Sequence, residues 1–300
     1  MKLAVTGGTG FVGSHVIDVA LADGHEVVAL TRREQPERAR LCWVGGSLED
    51  TDALEQLVDK ADAVIHAAGV ISATAVGFEK GNVAGTLAML AAATAGGVRR
   101  FVHVSSLAAR EPKLSQYGAS KARAEELVHG SGLDWAIVRP PAVYGPGDKE
   151  TLELFRMAKL GVMLMPPRGR LSVIHVDDLA RLLIALAVPG APSSVLVEAD
   201  DGKPGGWTHR EFGRALGTAV GTSPAILAAP GLFLRVAARA DQLFRGPRAK
   251  LTVDRAAYFS HRNWVVEPKR ACPPELWQPQ IATPDGLAQT AVWYRDQGWL

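Results

Sequence analysis

Short apolar runs alternate with longer amphipathic segments along the first half of the chain. Apolar residues recur at helical spacing in Phe11–Ala22, Thr51–Lys60, Asn82–Ala95 and Ser115–His129. The runs between these segments indicate strands at Leu3–Thr6, Glu26–Leu30, Leu41–Val44, Asp62–His66, Phe101–Val104 and Trp135–Val138. Apolar strands that alternate with helices are typical of βαβ units, in which helices cover both faces of a parallel sheet. The pattern therefore predicts an α/β fold, a doubly wound parallel sheet of the Rossmann type.

The alternation breaks down after Arg139, where prolines interrupt the pattern. One further helical segment, Asp177–Val188, follows the apolar run Leu171–Ile174, which the pattern allows to return to the sheet. We predict a dinucleotide-binding Rossmann domain over residues 1–188 and a smaller, mainly substrate-binding or lid region over residues 189–300. Residues 140–170 are expected to contribute to this second region, which would lie over the carboxyl ends of the strands.

Composition and charge narrow the functional classes. The 33 lysine and arginine residues nearly balance the 31 aspartate and glutamate residues, giving a net charge of +2. No charged block stands out, which argues against a protein built mainly to bind nucleic acid. The two cysteines, Cys42 and Cys272, form no C-x-x-C motif, so we expect a reduced, cytoplasmic location and no metal centre.

Two stretches bear on contact with membranes. Leu216–Leu234 is long enough to span a bilayer, but Pro224 and Pro230 would break a helix there, so no stable membrane insertion is expected. The segment 230–248 interleaves arginines with large apolar residues. This pattern fits an amphipathic helix at a membrane or at an apolar substrate entrance. It fits better a helix that packs an apolar face and exposes a basic one, and both interpretations stay open.

A glycine-rich turn follows the first strand and opens the first helix. Its glycines are spaced three apart within Thr6–Gly13. Glycine permits a tight turn and lets backbone N–H groups approach a pyrophosphate, and the helix N-terminus offers further unsatisfied donors. Strand, turn, helix and second strand follow in the order of a dinucleotide site. We expect the cofactor to contact Gly7, Thr9, Gly10, Phe11, Val12 and Gly13.

The end of the second strand bears on which dinucleotide binds. NAD sites usually place Asp or Glu there to hold the ribose 2′-hydroxyl, whereas this chain has Arg32 and Arg33 after Thr31. A guanidinium can bind a 2′-phosphate through two hydrogen bonds. The sequence therefore predicts NADP(H), with Arg32 the stronger candidate, and leaves NAD(H) open.

Three types of reactive side chain are expected at one edge of the sheet. Tyr117 and Lys121 lie one helical turn apart, so they share a face of their helix. Ser105 and Ser106 follow the fifth strand at the carboxyl edge, where ligands bind. A hydroxyl, a phenol and an ammonium would thus meet beside a nicotinamide. One ammonium about 4 Å away is worth about 4 kcal/mol at an effective dielectric near 20, enough to bring the pKa of a tyrosine toward neutrality.

At this point the sequence resembles the short-chain dehydrogenase/reductase superfamily, in particular its extended, epimerase/dehydratase-like branch. The matching segments are Thr6–Gly13, His66–Gly69, Asn82–Thr86, Ser105–Ser106, Tyr117–Lys121, Arg139–Gly147 and His175–Ala180. The resemblance implies that Tyr117 is the general acid/base, that Lys121 also holds the nicotinamide ribose, and that Ser106 binds the substrate oxygen. Ser105 stays open as the alternative hydroxyl.

The resemblance also implies further cofactor contacts. These are Ser47, Leu48, Ala67, Ala68, Gly69, Pro140 and Val143, together with Tyr117 and Lys121. Ser47 stands where the family often has an Asp that meets the adenine. Leu107 and Ala108 replace the carboxylate pair of the dehydratases, which disfavours dehydration. Family members often form homodimers, so a homodimer is an expected option here.

These observations predict an NADP(H)-dependent oxidoreductase that transfers hydride between nicotinamide and a carbonyl or alcohol of a small organic substrate. One alternative is a nucleotide-sugar epimerase that holds its cofactor tightly. A second alternative, outside catalysis, is a dinucleotide-binding sensor or assembly subunit.

Overall fold

The computed structural model describes residues 1–166, 168–229, 258 and 261–300. A seven-stranded parallel sheet lies at the centre of the described chain. Numbered along the chain, the strands are β1 (Lys2–Thr6), β2 (Glu26–Thr31), β3 (Leu41–Gly45), β4 (Ala63–His66), β5 (Arg100–Val104), β6 (Asp134–Arg139), β7 (Ala142–Tyr144), β8 (Val162–Met165), β9 (Arg170–Leu171), β10 (Val173–His175), β11 (Val195–Glu198), β12 (Trp207–Thr208), β13 (Ala225–Ala228) and β14 (Asn263–Trp264).

Helices cover the sheet and build the second region. They are α1 (Phe11–Ala22), α2 (Thr51–Val58), α3 (Ala75–Phe78), α4 (Gly85–Ala95), α5 (Gln116–His129), α6 (Leu152–Lys159), α7 (Val176–Ala187), α8 (His209–Val220) and α9 (Thr283–Asp296). A π-helical turn, Glu79–Ala84, joins α3 to α4. A 3₁₀ turn, Leu107–Arg110, follows β5.

The strand order of the large sheet is β11-β6-β5-β4-β1-β2-β3, with all neighbours parallel. The chain reverses its direction of winding at β1, which lies between β2 and β4. A crevice opens at such a reversal, outside the carboxyl ends of the strands, and open α/β sheets bind ligands there. The predicted doubly wound Rossmann sheet is therefore confirmed.

Two apolar layers pack the sheet because successive strand residues point to opposite faces. Val5 and Ile65 belong to the layer under α1 and α7. Ala4, Val64 and Phe101 belong to the opposite layer, under α2, α4 and α5. A third cluster, which includes residues of α6, α8 and α9, forms the core of the second region.

The expectation that Leu171–Ile174 returns to the large sheet is wrong. Leu171 lies in β9, which pairs with β12 and β14, and β10 pairs with β7. Pro140 and Pro141 follow β6 and carry no backbone N–H, so the ladder ends there and β7 starts a separate pair. The seventh strand of the large sheet is β11, beside β6. It lies beyond residue 188, the predicted end of the Rossmann domain.

No helix in the described parts of the chain is long and apolar enough to cross a bilayer. The two interpretations of segment 230–248 concern residues outside the described ranges.

Candidate active site

The glycine-rich turn forms a narrow cradle at the carboxyl end of β1. Gly7 has a φ of 72°, and a Cβ on it would lie 2.7 Å from the backbone nitrogen of Ala68. A Cβ on Gly13 would lie 2.1 Å from the Gly7 carbonyl oxygen. Helix α1 begins at Phe11 with no side-chain cap and no acidic residue in its first turn. The turn thus leaves space and N–H donors for a pyrophosphate, which is what a dinucleotide requires.

The other residues predicted in this turn flank the cradle. Thr9 is exposed at its tip, and Val12 packs against the core below. The Phe11 ring lies edge-on to the His15 ring, with centroids 5.7 Å apart. Gly147 approaches Phe11, since a Cβ on Gly147 would lie 3.9 Å from that ring. The turn and the loop after β7 therefore meet over the crevice.

The loop after β4 connects the cradle to the catalytic helix. The Ala68 N–H donates to the Thr6 hydroxyl over 3.3 Å, and Ala67 borders Gly7. A Cβ on Gly69 would lie 3.9 Å from Lys121 Nζ. The predicted phosphate and catalytic residues thus lie along one crevice, with Ala67, Ala68 and Gly69 between them.

A cavity of about 530 Å³ opens at the carboxyl ends of β2 and β3. Its lining residues are Thr31, Arg32, Arg33, Glu34, Gln35, Trp43, Gly45 and Gly46. Both arginine side chains are exposed, and neither guanidinium hydrogen-bonds or pairs with a described residue. Two cations are thus uncommitted at the predicted position of the adenosine ribose.

Ser47 and Leu48 lie shortly after the end of β3. The Ser47 hydroxyl accepts a hydrogen bond from the Glu49 N–H over 3.3 Å. Leu48 packs on the start of α4, where a Cβ on Gly85 would lie 2.7 Å from its methyl carbon. Both side chains are half-buried. They directly follow Gly46, which lines the cavity, and their contact with the adenine stays a prediction.

Tyr117 and Ser106 meet where α5 packs against the 3₁₀ turn. A Cβ on Gly118 would lie 2.6 Å from the Ala108 carbonyl oxygen, so only glycine permits this approach. Ser115 caps α5, accepting from the Gly118 N–H over 2.9 Å. The Ser106 hydroxyl accepts from the Ala108 N–H over 3.2 Å, and Ser106 is close enough to Tyr117 to lower the pKa of the phenol. The phenol and the Ser106 hydroxyl therefore lie on the two elements that this contact brings together.

Ser105 has a different environment from Ser106. Its hydroxyl donates to Glu125, which also accepts two hydrogen bonds from Arg139 over 2.8 and 2.6 Å. Adjacent residues at the end of a strand point to opposite sides, and Ser106, not Ser105, is the serine that acts on the pKa of Tyr117. The structure thus separates the two serines that the sequence left open.

Lys121 is buried behind the phenol. Its ammonium donates to the Val104 carbonyl over 2.6 Å. Burial lowers the pKa of Lys121 to about 8, and the negative charge of Glu125 partly opposes that effect. The pKa of Tyr117 is raised, mainly by burial and further by Glu150, while the hydrogen bond with Ser106 lowers it. Lys121 is not among the groups that shift the pKa of Tyr117 in this structure, and the expectation that Lys121 and the oxidised nicotinamide acidify the phenol stays a prediction.

A chain of polar contacts links β1 to α5 beneath the crevice. Thr6 Oγ1 lies 2.7 Å from His66 Nδ1, and His66 Nε2 lies 3.1 Å from Thr86 Oγ1. The Thr86 hydroxyl donates to the Asn82 carbonyl, and the Asn82 amide donates to Ser120 over 2.9 Å. Burial lowers the pKa of His66 to about 3, so the ring is neutral and can accept on one nitrogen while donating from the other.

Buried ion pairs connect α5 to the second region, starting from the pair of Glu125 with Arg139. Glu198 lies 3.7 Å from Arg139 and 3.3 Å from Arg110, and Arg110 also donates to the Val265 carbonyl over 2.9 Å. Sequence reasoning missed this network. Its one local signal is Glu125, four residues after Lys121 on the same helical face. The other partners are far apart in the chain.

Pro140 and Val143 lie on the far wall of the crevice. The Pro140 carbonyl accepts from the Leu107 N–H over 3.0 Å, and Val143 packs against the core under α1 and α7. His15 reaches the same wall, with Nδ1 2.5 Å from Asp177 and Nε2 2.9 Å from the Pro146 carbonyl. This wall is therefore fixed to the first turns of α1 and α7.

Comparison with known proteins agrees with this geometry. The model of the family described as NAD dependent epimerase/dehydratase matches residues 3–194. The chain belongs to this family. The resemblance to the epimerase/dehydratase-like branch is thus confirmed, and the protein is an enzyme of a family that uses a nicotinamide dinucleotide.

One relative matches nearly the whole chain and another matches about two thirds of it. The chain is 37% identical over 313 residues to ceramide reductase from Caulobacter vibrioides, covering 99% of this chain and 96% of that protein. It is 30% identical over 223 residues to 2-alkyl-3-oxoalkanoate reductase from Stenotrophomonas maltophilia, covering 64% of this chain and 67% of that protein. The solved structure of MoeE5 in complex with UDP-glucose and NAD has a TM-score of 0.76 and 22% identity, covering 99% of both chains, which shows the fold.

Proposed function

We propose that this family member is an NADPH-dependent reductase that converts a ketone on a hydrocarbon-chain-bearing substrate to an alcohol. The observation that carries the proposal is the packing of α5, with Tyr117 and the buried Lys121, against the turn that Ser106 caps at the carboxyl end of β5. Two relatives bear the names of reductases, one of ceramide and one of a 2-alkyl-3-oxoalkanoate. Both names describe compounds with hydrocarbon chains, which supports this substrate class.

The chain's own residues supply the proton and hold the substrate oxygen. The Ser106 hydroxyl and the Tyr117 phenol converge where one carbonyl oxygen could accept from both. The raised pKa of Tyr117 keeps its proton in place at neutral pH, so the phenol is ready to donate it. Lys121, with a pKa of about 8, is mainly cationic and lies one turn along α5. Bound NADPH would supply the hydride.

Substitution of each serine in turn tests whether Ser106, and not Ser105, supplies the hydroxyl that binds the substrate oxygen. With NADPH and a soluble 3-oxoalkanoate as substrate, Tyr117→Phe and Ser106→Ala are expected to lower kcat by about 10²–10⁴-fold, while NADPH binding persists. Ser105→Ala is the matched control, since its hydroxyl faces Glu125, and it is expected to retain activity within about tenfold. Full turnover by Tyr117→Phe would contradict the proposal.

The preference for NADPH rests on the two uncommitted guanidinium groups in the 530 Å³ cavity. Charge-assisted bonds to the 2′-phosphate are worth about 1.5–3 kcal/mol each, so Arg32→Ala is expected to weaken NADPH binding by about 10–100-fold and NADH binding little. Arg38→Ala is a suitable control, because Arg38 pairs with Asp18 at the surface. Tighter binding of NADH than NADPH by the wild type would refute the preference.

The nucleotide-sugar epimerase remains the second candidate, favoured by the fold shared with MoeE5 in its UDP-glucose complex. An epimerase would retain its cofactor through purification and convert its substrate without net consumption of NADPH. A sensor or assembly subunit would bind NADPH without turnover on any ketone. The homodimer and the cytoplasmic location stay predictions.

A further inference from the structure

The small sheet of β8 and β13 presents an apolar outer face. Their register pairs Val162 with Ala225 and Leu164 with Leu227, and paired residues lie on the same side of a sheet. Val162, Leu164 and Leu227 are 46%, 43% and 50% exposed. Leu160, just before β8, is 83% exposed. These four residues are half of the exposed large apolar side chains in the described chain, so the outer face is a distinct patch.

A basic pocket adjoins this patch at the carboxyl ends of the two strands. The pocket holds about 360 Å³, and Leu227 lies in its wall together with Arg168, Arg170 and Arg210. Arg170 is engaged by the carbonyls of Gly205 and Gly206. Arg168 and Arg210 are exposed, and neither pairs with a described residue. Two free cations therefore stand beside an apolar surface.

The carboxylate nearest to this pocket in sequence is already committed. Glu211 follows Arg210 on α8, and it closes a capping box with Thr208, accepting from its N–H and its hydroxyl over 2.8 Å each. Its pKa is lowered, mainly by these hydrogen bonds. The two guanidinium groups are therefore left to attract an external anion. An apolar patch beside cations complements the surface of an anionic bilayer.

The pocket is also connected to the catalytic turn. Arg170 lies in β9, which pairs with β14. The carbonyls of Asn263 and Val265, in and next to β14, accept hydrogen bonds from Arg110 over 2.9 Å each. Arg110 ends the 3₁₀ turn that Ser106 caps. One small sheet thus joins the basic pocket to the turn that carries the proposed hydroxyl.

We propose that Leu160, Val162, Leu164 and Leu227, with Arg168 and Arg210, form a surface that docks on anionic phospholipid bilayers. The apolar side chains enter the interface, and the two guanidinium groups bind lipid phosphates. The proposal rests on the proposed function, since a chain-bearing ketone partitions into a bilayer and must be taken from it. Docking brings the second region of the enzyme to the surface where such a substrate resides.

Flotation with vesicles tests the docking without any turnover. Vesicles of phosphatidylcholine with about 30% phosphatidylglycerol are compared with vesicles of phosphatidylcholine alone, at low and high salt. The wild-type protein is expected to float with the anionic vesicles at least about tenfold more than with the neutral ones, and salt is expected to weaken this binding. Inorganic phosphate at millimolar concentration is not expected to release the protein.

Two double variants test the apolar residues and the arginines of the surface separately. Leu160→Asp/Leu164→Asp and Arg168→Ala/Arg210→Ala are each expected to reduce flotation by about tenfold or more. Val292→Ser is the matched control, because Val292 is 50% exposed on α9 and belongs to neither β8 nor β13, and its flotation should equal that of the wild type. Circular dichroism melting confirms that each variant is folded.

Several outcomes would overturn the proposal. These are no flotation of the folded wild type, flotation unchanged in both double variants, or a wild-type dimer that Leu160→Asp/Leu164→Asp dissociates without affecting flotation. The last result would assign the face to a second copy of the chain. Reduction of a soluble 3-oxoalkanoate is measured separately in every variant. Loss of flotation with this activity retained supports docking, whereas absence of activity in the wild type challenges the proposed function alone.

Discussion

The charge of Glu125 is expected to set the proton affinity of Lys121. The two residues lie one turn apart on α5, and both are buried. Burial lowers the pKa of Lys121 to about 8, and the carboxylate of Glu125 opposes that effect. Glu125→Gln removes the charge and nearly preserves the shape. The pKa of Lys121 should therefore fall further below its usual range.

The size of the effect follows from the geometry. Side chains four residues apart on a helix lie about 6 Å apart, where a unit charge is worth about 3 kcal/mol at an effective dielectric near 20. If the charge of Glu125 contributes half of that energy, its removal lowers the pKa of Lys121 by about one unit. The alkaline limb of the activity profile should move in the same direction, because the protonated form of Lys121 is the one that can donate to the nicotinamide ribose, the role that the family resemblance implies.

The substitution also has a cost in stability. Glu125 accepts two hydrogen bonds from Arg139, and breaking a buried pair costs about 3–5 kcal/mol. Glu198 remains 3.7 Å from Arg139, which places the expected loss at the lower end, about 3 kcal/mol. The corresponding fall in Tm is about 6–12 °C. Kinetics are therefore measured well below the melting range of the variant.

The assay is the pH dependence of kcat/KM for NADPH, which reports groups of the free enzyme. Glu126→Gln is the matched control, because Glu126 is the adjacent, exposed residue on the same helix and its loss should leave the alkaline limb in place. An alkaline limb that stays fixed in folded Glu125→Gln would show that Lys121 does not govern it. A shift of equal size in Glu126→Gln would refute the argument from distance and burial.

Two further predictions concern the cradle and the buried histidine. Gly13→Ala places a Cβ 2.1 Å from the Gly7 carbonyl, so NADPH binding measured by fluorescence should weaken by more than about 100-fold, whereas Gly130→Ala, with its nearest neighbour at 3.5 Å, should bind normally. Burial holds His66 neutral, with a pKa of about 3 in the folded protein and near 6.5 in the unfolded chain. Its contribution to the free energy of unfolding is therefore complete above pH 6.5 and is lost as the pH falls toward 3. The unfolding free energy should therefore fall by up to about 1.4 kcal/mol per pH unit over this range. In His66→Gln, the unfolding free energy, measured by denaturant titration at each pH, should depend less steeply on pH.

Local periodicity explains why the first six strands could be predicted. Each is an apolar run next to an amphipathic helix, and both signals are contained in a few neighbouring residues. The position of β11 depends instead on its pairing with β6, about sixty residues earlier in the chain. The run Leu171–Ile174 has a similar composition but pairs elsewhere. Composition alone does not distinguish these two partners.

In the candidate site, too, local spacing predicts some features, while others depend on contacts between distant parts of the chain. Tyr117 and Lys121 could be predicted because helical geometry places residues four apart on one face. Which serine faces the phenol depends on how β5 and α5 pack, and Gly118 decides that by its contact with Ala108. Pairs such as Arg110 with Glu198 join residues that are distant in the chain, and a single sequence carries no local signal for them.

The protonation states in the site fit the starting state of the proposed reduction. Burial and Glu150 raise the pKa of Tyr117, so the phenol holds its proton at neutral pH, while Lys121 is mainly cationic. A reduction starts from these states, because a proton is ready for the substrate oxygen and the charge left on Tyr117 lies one turn from an ammonium. An oxidation must first remove the phenolic proton, and each tenfold shortage of phenolate costs about 1.4 kcal/mol. Because the raised pKa also makes the phenol a weaker acid, its proton should move only as the substrate oxygen becomes a strong base on gaining the hydride.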